Sequence, residues 1–333
     1  MGEDQENTVC AKVIVVLGRT ASGKSALAVE LAQRLGSPVI SVDSLQVYRN
    51  FGVASDKIVD SEMKGVPHFG LDLLEPSDEL NVYWFIDYAV TIVVNELSAG
   101  RSPIIVGGTN MYIEKLLFTS QLDAQPDESS HSKSNESRVY THKHLEEIDP
   151  GMAKRLHEND TRRVSRAIDY YYDTGKRLSD SLSEQKREVR WSNTVVLVKH
   201  ASENENLDER IKDRIHSKMI ASGGLLRELN SIESLLAENK LIWNKGLLQA
   251  IGYREFEEFV TKKITTGISD PSLFDKAVEE MIRNTVRYSK KQQKWINKME
   301  TFIDLIHVDS CSDDLIRTIN MHRTLKVKSL PQW

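Results

Sequence analysis

The sequence predicts an α/β fold, a parallel sheet with helices on both faces, and three observations carry that expectation. Short apolar runs alternate with helical patterns over the first part of the chain. A glycine-rich loop joins the first run to the first helix. Two further apolar runs end in Asp43 and in Gly107-Gly108-Thr109, which places all three run ends on one rim, where open α/β sheets hold their ligands. Lys12–Leu17 reads as a strand, Lys24–Leu35 as a helix and Pro38–Val42 as a second strand. Val82–Leu97 reads as a helix, Pro103–Val106 as a third buried strand and Asn110–Leu117 as a helix.

The loop itself, Gly-Arg-Thr-Ala-Ser-Gly-Lys-Ser at 18–25, has the full Gly-x-x-x-x-Gly-Lys-Ser spacing between a strand and a helix. It predicts a P-loop NTPase-like core. Gly18 and Gly23 let the backbone turn so that N–H groups of Arg19, Thr20, Ala21, Ser22 and their neighbours converge on phosphate oxygens. Lys24 adds a point charge, and Ser25 offers a hydroxyl to Mg2+. Many P-loop enzymes place an aspartate after an apolar strand to organise magnesium. Here Ile104-Ile105-Val106 ends in Gly-Gly-Thr instead, and the acid at this rim is Asp43. Spacing leaves Asp43 open as a magnesium ligand, a helix N-cap or a general base. Two glycines allow close backbone approach, and Thr109 can donate to a phosphate oxygen.

Beyond Leu117 the pattern changes. Residues 119–138 are polar and serine-rich and read as a flexible junction. Helical patterns run from Tyr140 to Thr174, broken at Asp149-Pro150 and Asn159-Asp160, with Gly175 as a helix stop. Thr194–Val198 returns as a strand. Helical patterns follow at Leu207–Ile220, Leu225–Ala237, Lys245–Val260 and Asp275–Lys298, and a last strand lies near Phe302–Val308. This divides the chain into a first core part at 1–124, a mostly helical insertion at 125–190, and a second core part at 191–333.

At 333 residues, 40% hydrophobic and 28% charged, the chain has the composition of a soluble globular protein. No apolar run is long enough to span a bilayer, so no membrane is expected. The acidic start, Met-Gly-Glu-Asp-Gln-Glu-Asn, is unlike a signal or transit peptide. Cys10 and Cys311 make no metal-ligand cluster, which points to a reducing compartment, the cytoplasm first. A monomer is the expected state. Net charge is −5, yet Arg283, Arg287, Lys290, Lys291, Lys294 and Lys298 recur at helical spacing with no acid among them. That stripe expects an anionic partner. Tyr288 and Trp295, on the same segment, could stack a base but read more readily as packing residues.

Several segments in order resemble the tRNA dimethylallyltransferases (isopentenyltransferases). They are residues 18–25, Ile40-Ser-Val-Asp-Ser-Leu-Gln-Val-Tyr48, Gly65-Val-Pro-His68, Ile104-Ile-Val-Gly-Gly-Thr109 and Asn159-Asp-Thr-Arg-Arg-Val-Ser-Arg166. Thr174-Gly-Lys176, Glu184-Gln-Lys186, Leu207-Asp-Glu-Arg-Ile211, Gln249-Ala-Ile-Gly-Tyr253 and Arg287-Tyr-Ser-Lys-Lys-Gln-Gln-Lys-Trp295 continue the match. The resemblance implies transfer of a dimethylallyl group from dimethylallyl diphosphate to N6 of the adenosine 3′ of the tRNA anticodon. It implies that Gly18, Arg19, Thr20, Ala21, Ser22, Gly23, Lys24 and Ser25 bind the diphosphate with Mg2+, and that Asp43 is the base. It further implies that Thr109, Lys24 and one of Arg210 and Arg214 support the leaving group, a surface ion pair being the other reading of those arginines. Ser44, Leu45 and Gln46 match a segment lining the tRNA site. Arg162, Arg163 and Arg166 match a tRNA-contact helix, with a plain solvated basic face as the alternative. Gln185 matches a segment near the anticodon loop of eukaryotic-type relatives, and Arg287, Lys290 and Lys291 belong to the basic stripe.

His68, Gly252 and Tyr253 are expected to be structural. Arg19 stands where relatives carry a small residue or Pro, and it either adds charge at the diphosphate or points outward. Phe69 and Ser55-Asp56-Lys57 also depart from the family pattern, and the C-terminal zinc finger common in eukaryotic members is expected to be absent. Three rivals stay in view: an adenylate isopentenyltransferase, a P-loop small-molecule kinase, and a catalytically silent RNA-binding protein. The helical insertion favours tRNA over free nucleotide, the missing carboxylate after the third strand disfavours the kinase, and intact Lys24, Ser25, Asp43 and Thr109 disfavour the silent protein.

Overall fold

β1 (Val13–Leu17) buries every side chain on both faces, and such a strand needs strands beside it and helices above and below. The computed structural model describes residues 11–120, 140–184, 187–201, 206–322 and 324–328. From β1 the chain enters α1 (Lys24–Leu35), which stops at left-handed Gly36. There follow β2 (Val39–Ser41), α2 (Asp60–Met63), β3 (His68–Phe69), α3 (Val82–Ser98), β4 (Ile104–Val106) and α4 (Asn110–Leu117). Then come β5 (Phe118–Ser120), α5 (His142–Ile148), α6 (Pro150–Ala153), α7 (Thr161–Thr174), α8 (Leu178–Glu184) and β6 (Arg187–Val189). The chain continues through β7 (Thr194–Lys199), α9 (Leu207–Arg214), α10 (Gly224–Ala237) and α11 (Glu257–Thr266). It closes with α12 (Pro271–Glu300), β8 (Ile306–Val308) and α13 (Asp313–Met321).

Six strands form one sheet in the order β3-β2-β4-β1-β7-β8, every neighbouring pair parallel. In the register Val15 lies between Ile105 and Val196. The path from β1 to β2 runs one way across the sheet and the path from β3 to β4 runs the other. Right-handed crossovers therefore put α1 and α3 on opposite faces. On one face Ile14 and Val16 pack with Leu27, Ala28 and Leu31 of α1 and with Leu315 and Ile319 of α13. Val13, Val15 and Leu17 point the other way and are equally buried, so the second face is covered too. The predicted α/β parallel sheet is observed, and the three strand ends that carry the motifs share its carboxyl rim.

Two expectations need correction. Lys245–Val260 is not one helix: 3-10 turns occupy Gly246–Gln249 and Arg254–Phe256 before α11 begins. Leu247, Leu248, Tyr253 and Phe256 mimic helical spacing because all are buried, but Gly252 has φ of 103°, and a Cβ there would meet that of Ala54 at 2.7 Å. In the reading of 119–138 as a flexible junction, Thr119 and Ser120 instead lie in β5, and 121–138 falls outside the described residues. Smaller differences are a π-helical turn at Ile215–Ile220 and a final strand confined to three residues.

Among the described residues, 11–117 and 191–328 make one unit and 118–190 a second. In the second unit β5 pairs antiparallel with β6, so the division falls just before Phe118. Leu145, Val164, Ala167 and Ile168 form its core. Asp149, fully buried, accepts from the N–H groups of Met152 and Ser179 and so ties α6 to α8. It also caps α6 at the sequence break, as Asp160 caps α7, which stops at left-handed Gly175.

Candidate active site

The loop after β1 closes over the start of α1 through two left-handed residues, Ala21 (φ 63°) and Gly23 (φ 85°). Helix N-termini carry unpaired N–H groups and partial positive charge, and here Lys24 opens the helix. Thr20, Lys24 and Ser25 line a crevice whose other walls are Asp43 and Gln46, Gly107 and Gly108, and Asp56 with Arg214. The loop lysine and the rim acid thus share one opening.

Asp43 is held on both oxygens. Oδ1 accepts from Leu45 N at 3.1 Å, closing the turn after β2, and Oδ2 accepts from Gly108 N at 3.2 Å. It therefore caps a turn rather than a helix. The approach is possible because residue 108 is glycine: a Cβ there would sit 2.5 Å from Asp43 Oδ2, and one on Gly107 would overlap Val42 O at 1.9 Å. Burial pushes the Asp43 carboxyl up, against the two N–H groups and the charge of Lys24, which pull it down. Burial lowers Lys24, assisted by the like charge of Arg214 and opposed by Asp43 and Asp56. Each charge therefore favours the other, Asp43 being the main favourable charge on Lys24 and Lys24 adding to the two N–H groups on Asp43.

Thr109 Oγ1 accepts from Ser44 N at 3.0 Å and lies 3.1 Å from Ser44 Oγ, which couples the Gly-Gly-Thr loop to the Asp43 turn. Arg214, 15% exposed, donates to Asp56 at 2.7 Å and to Thr20 Oγ1 at 3.2 Å. Of the two candidate arginines, Arg214 is the one in the crevice, while Arg210 is exposed on α9 and does not line it. Arg19 turns away as well. Its side chain donates to Ser289 Oγ at 2.9 Å and pairs with Asp208 at 3.5 Å, so only its backbone belongs to the loop's interior. Gln46 lines the crevice, but its amide is engaged by Ser41 Oγ and by Ser55 O. Leu45 is half-buried in the turn. His68 lines the crevice from β3; burial lowers its pKa and Nδ1 bonds Val66 O at 2.8 Å, which leaves a neutral ring with Nδ1 protonated.

Tyr288, read from the sequence as a packing residue, and two residues that sequence reading passed over also belong to the site. Tyr288 donates to Gly108 O at 2.6 Å, and burial and the charge of Asp43 raise its pKa. Gln292, 2% exposed, bonds both loops. Glu228, also buried, accepts from the N–H groups of Gly52, Val53 and Ala54 and from the Tyr253 hydroxyl, and so holds the segment that presents Asp56. The only signals for them are the motifs around 253 and 288–292, whose partners lie far off in sequence.

The remaining candidates lie elsewhere. Arg287, Lys290 and Lys291 are exposed on α12, with Lys290 paired to Asp208 at 3.0 Å. Trp295 packs through Nε1 on Glu114 at 2.9 Å. Arg162, Arg163 and Arg166 are exposed on α7 of the second unit, Arg163 beside Asp160. Gln185 lies outside the described residues.

A parallel α/β sheet with a Gly-x-x-x-x-Gly-Lys-Ser loop and a half-buried acid on the same rim is an arrangement common to proteins that handle phosphate esters. Residues 46–299 match the IPP transferase family, and residues 11–73 match the isopentenyl transferases. A tRNA dimethylallyltransferase of Bacillus mycoides is 32% identical over 307 residues, covering 90% of each chain. A eukaryotic dimethylallyltransferase, solved acting on tRNA, superposes with a TM-score of 0.75 at 30% identity over 94% of this chain and 76% of that one. The tRNA isopentenylpyrophosphate transferase of Bacillus halodurans gives 0.60 at 27% identity over 93% and 94%. The chain belongs to the IPP transferase family. Among the described residues no helix is long and apolar enough to cross a membrane.

Proposed function

We propose that this chain transfers a dimethylallyl group from dimethylallyl diphosphate to N6 of the adenosine 3′-adjacent to the anticodon in tRNA. The observation that carries the reading is the shared crevice of Lys24 and Asp43. The allylic C–O bond breaks and its electron pair leaves on diphosphate. The N6–C bond forms, and the N6 proton passes to the Asp43 carboxylate. Charge therefore grows on the diphosphate, where Lys24, Arg214 and the N–H groups at the start of α1 lie ready. An adenine amine is a poor nucleophile, and a positioned base contributes about 10²–10⁴-fold. The raised basicity of Asp43 suits that duty.

Magnesium fits the donor set. Ser25 is exposed at the crevice and Asp56 stands in the same wall, a sparse set of hard oxygens. Mg2+ commonly takes one or two protein oxygens and fills its shell with phosphate and water. Bound there, it would neutralise diphosphate charge.

The base must leave its stack to reach Asp43, at about a few kcal/mol, less in a loop than in a duplex. Ser44 and Gln46 would border the flipped base, and the basic stripe of Arg287 and Lys291 would hold phosphates. Arg162, Arg163 and Arg166 of the second unit would bind further phosphates of the same tRNA. The test is incubation with dimethylallyl diphosphate, magnesium and either unmodified tRNA or AMP and ATP. N6-prenylated adenosine in tRNA alone is expected. Product on free nucleotide alone, or on no acceptor, contradicts the reading.

A further inference from the structure

β1 and β4 are neighbours in the sheet, but their pairing ends at Val16 and Val106. Beyond that point the phosphate loop and the Gly-Gly-Thr loop run on without a ladder between them, although Lys24 sits at the end of one and Thr109 on the other. One side chain spans them. Gln292 of α12 is buried, its Oε1 accepts from Thr20 N at 2.7 Å, and its Nε2 donates to Gly108 O at 3.0 Å. A carboxamide accepts at one end and donates at the other whatever the pH, so it serves both loops at once without a proton to gain or lose. Gly108 N in turn bonds Asp43 Oδ2. The acid is thereby joined to the phosphate loop through Gly108 and Gln292 without a gap.

We propose that Gln292 is a positioning residue for the transfer step, setting the separation between the diphosphate cradle and the Asp43 carboxylate. The assignment rests on the prenyl-transfer reading. It has a consequence for the cradle: the Thr20 N–H is committed to Gln292, and the diphosphate is bound by the remaining donors of the loop and by Lys24. Tyr288 also donates to Gly108 O, so loss of Gln292 slackens that loop without freeing it. A misplacement of about 1 Å between reacting groups costs about 10²-fold in rate.

Two variants of the full chain separate positioning from bulk stability. Gln292→Met keeps the volume and removes both bonds; kcat on tRNA falls by about 10- to 100-fold while the protein remains folded by circular dichroism. Gln292→Glu replaces the amide with a carboxyl that, when protonated, still donates to Gly108 O and accepts from Thr20 N, and when ionised cannot donate and repels Asp43. Its kcat relative to wild type at the same pH therefore falls as pH rises, whereas the ratio for Gln292→Met stays low and level. Reading the ratio above the acid limb of both proteins keeps the titration of Asp43 out of it; Asp43 and Tyr288 are the ionisable neighbours on the Gly108 side, and Lys24 and the Thr20-bonded Arg214 the charged ones on the phosphate-loop side. A purely structural glutamine would change melting temperature in both variants and leave the Gln292→Glu ratio flat. Wild-type kcat in Gln292→Met, or that flat ratio, overturns the assignment. Amide exchange in the peptide holding Thr20, faster in Gln292→Met than in wild type, tests the bond itself, and an inactive wild type would count against the transferase reading alone.

Discussion

In the proposed transfer Asp43 does two things that compete. Its oxygens hold Leu45 and Gly108 in place, and the same carboxylate is to accept a proton from the adenine amine. Burial resolves part of the conflict by raising its pKa, since a more basic carboxylate takes a proton more readily. In that transfer the ionised form is the working one. Activity should therefore fall on the acid side as pH drops through the Asp43 pKa, and burial moves that half-point above the ordinary aspartate value of 3.8. A pH profile of kcat on tRNA checks this; an acid limb at or below the ordinary value removes the burial argument. Gly108→Ala is a sharper geometric probe. Its methyl would lie 2.5 Å from Asp43 Oδ2, so the acid must shift, and kcat should drop by about 10²-fold with diphosphate affinity retained. Isothermal titration with diphosphate beside the rate assay reads both.

At the scale of elements, the site is three strand ends plus two clamps from distant helices. Glu228 on α10 accepts four hydrogen bonds, three of them from the backbone of 52–54. Glu228→Ala leaves those donors without their acceptor, and each buried donor left so costs about 1–3 kcal/mol. Denaturant unfolding should show a loss of at least about 2 kcal/mol, together with weaker diphosphate binding, because the Asp56–Arg214 pair loses its support. Unchanged binding would mean the segment holds itself. The same elements explain what was legible beforehand. Gly18–Ser25, Asp43 and Gly107–Thr109 announce themselves because each motif lies in one contiguous stretch at the end of an apolar run. Asp56, Glu228 and Gln292 do not, since their partners lie 158, 176 and 272 residues away. A buried polar side chain whose bonds are all long-range has no local pattern to read. Helical periodicity misled at 245–260 for a related reason: full burial produces the same spacing of apolar residues in irregular chain as in a helix, and Gly252 is the local warning.

For the whole molecule, charge is segregated rather than abundant. Net charge is −5, yet α12 exposes Arg283, Arg287, Lys290, Lys291, Lys294 and Lys298 along one helix. Lys290 is partly spent on Asp208, so Arg287 and Lys291 are the better test. Replacing both with Ala should weaken tRNA binding across sequences and reduce the slope of log K against log salt by about 1 for each phosphate no longer neutralised. Binding of dimethylallyl diphosphate should not change; an unchanged salt slope would take the stripe out of the interface. The central claim, that a phosphate loop and a half-buried acid in one crevice alkylate an adenine amine, is tested most directly by single-turnover prenyl transfer in Asp43→Asn at saturating donor and tRNA. The account predicts a rate lower by about 10²–10⁴-fold with diphosphate binding near that of wild type. Transfer at the wild-type rate would contradict it.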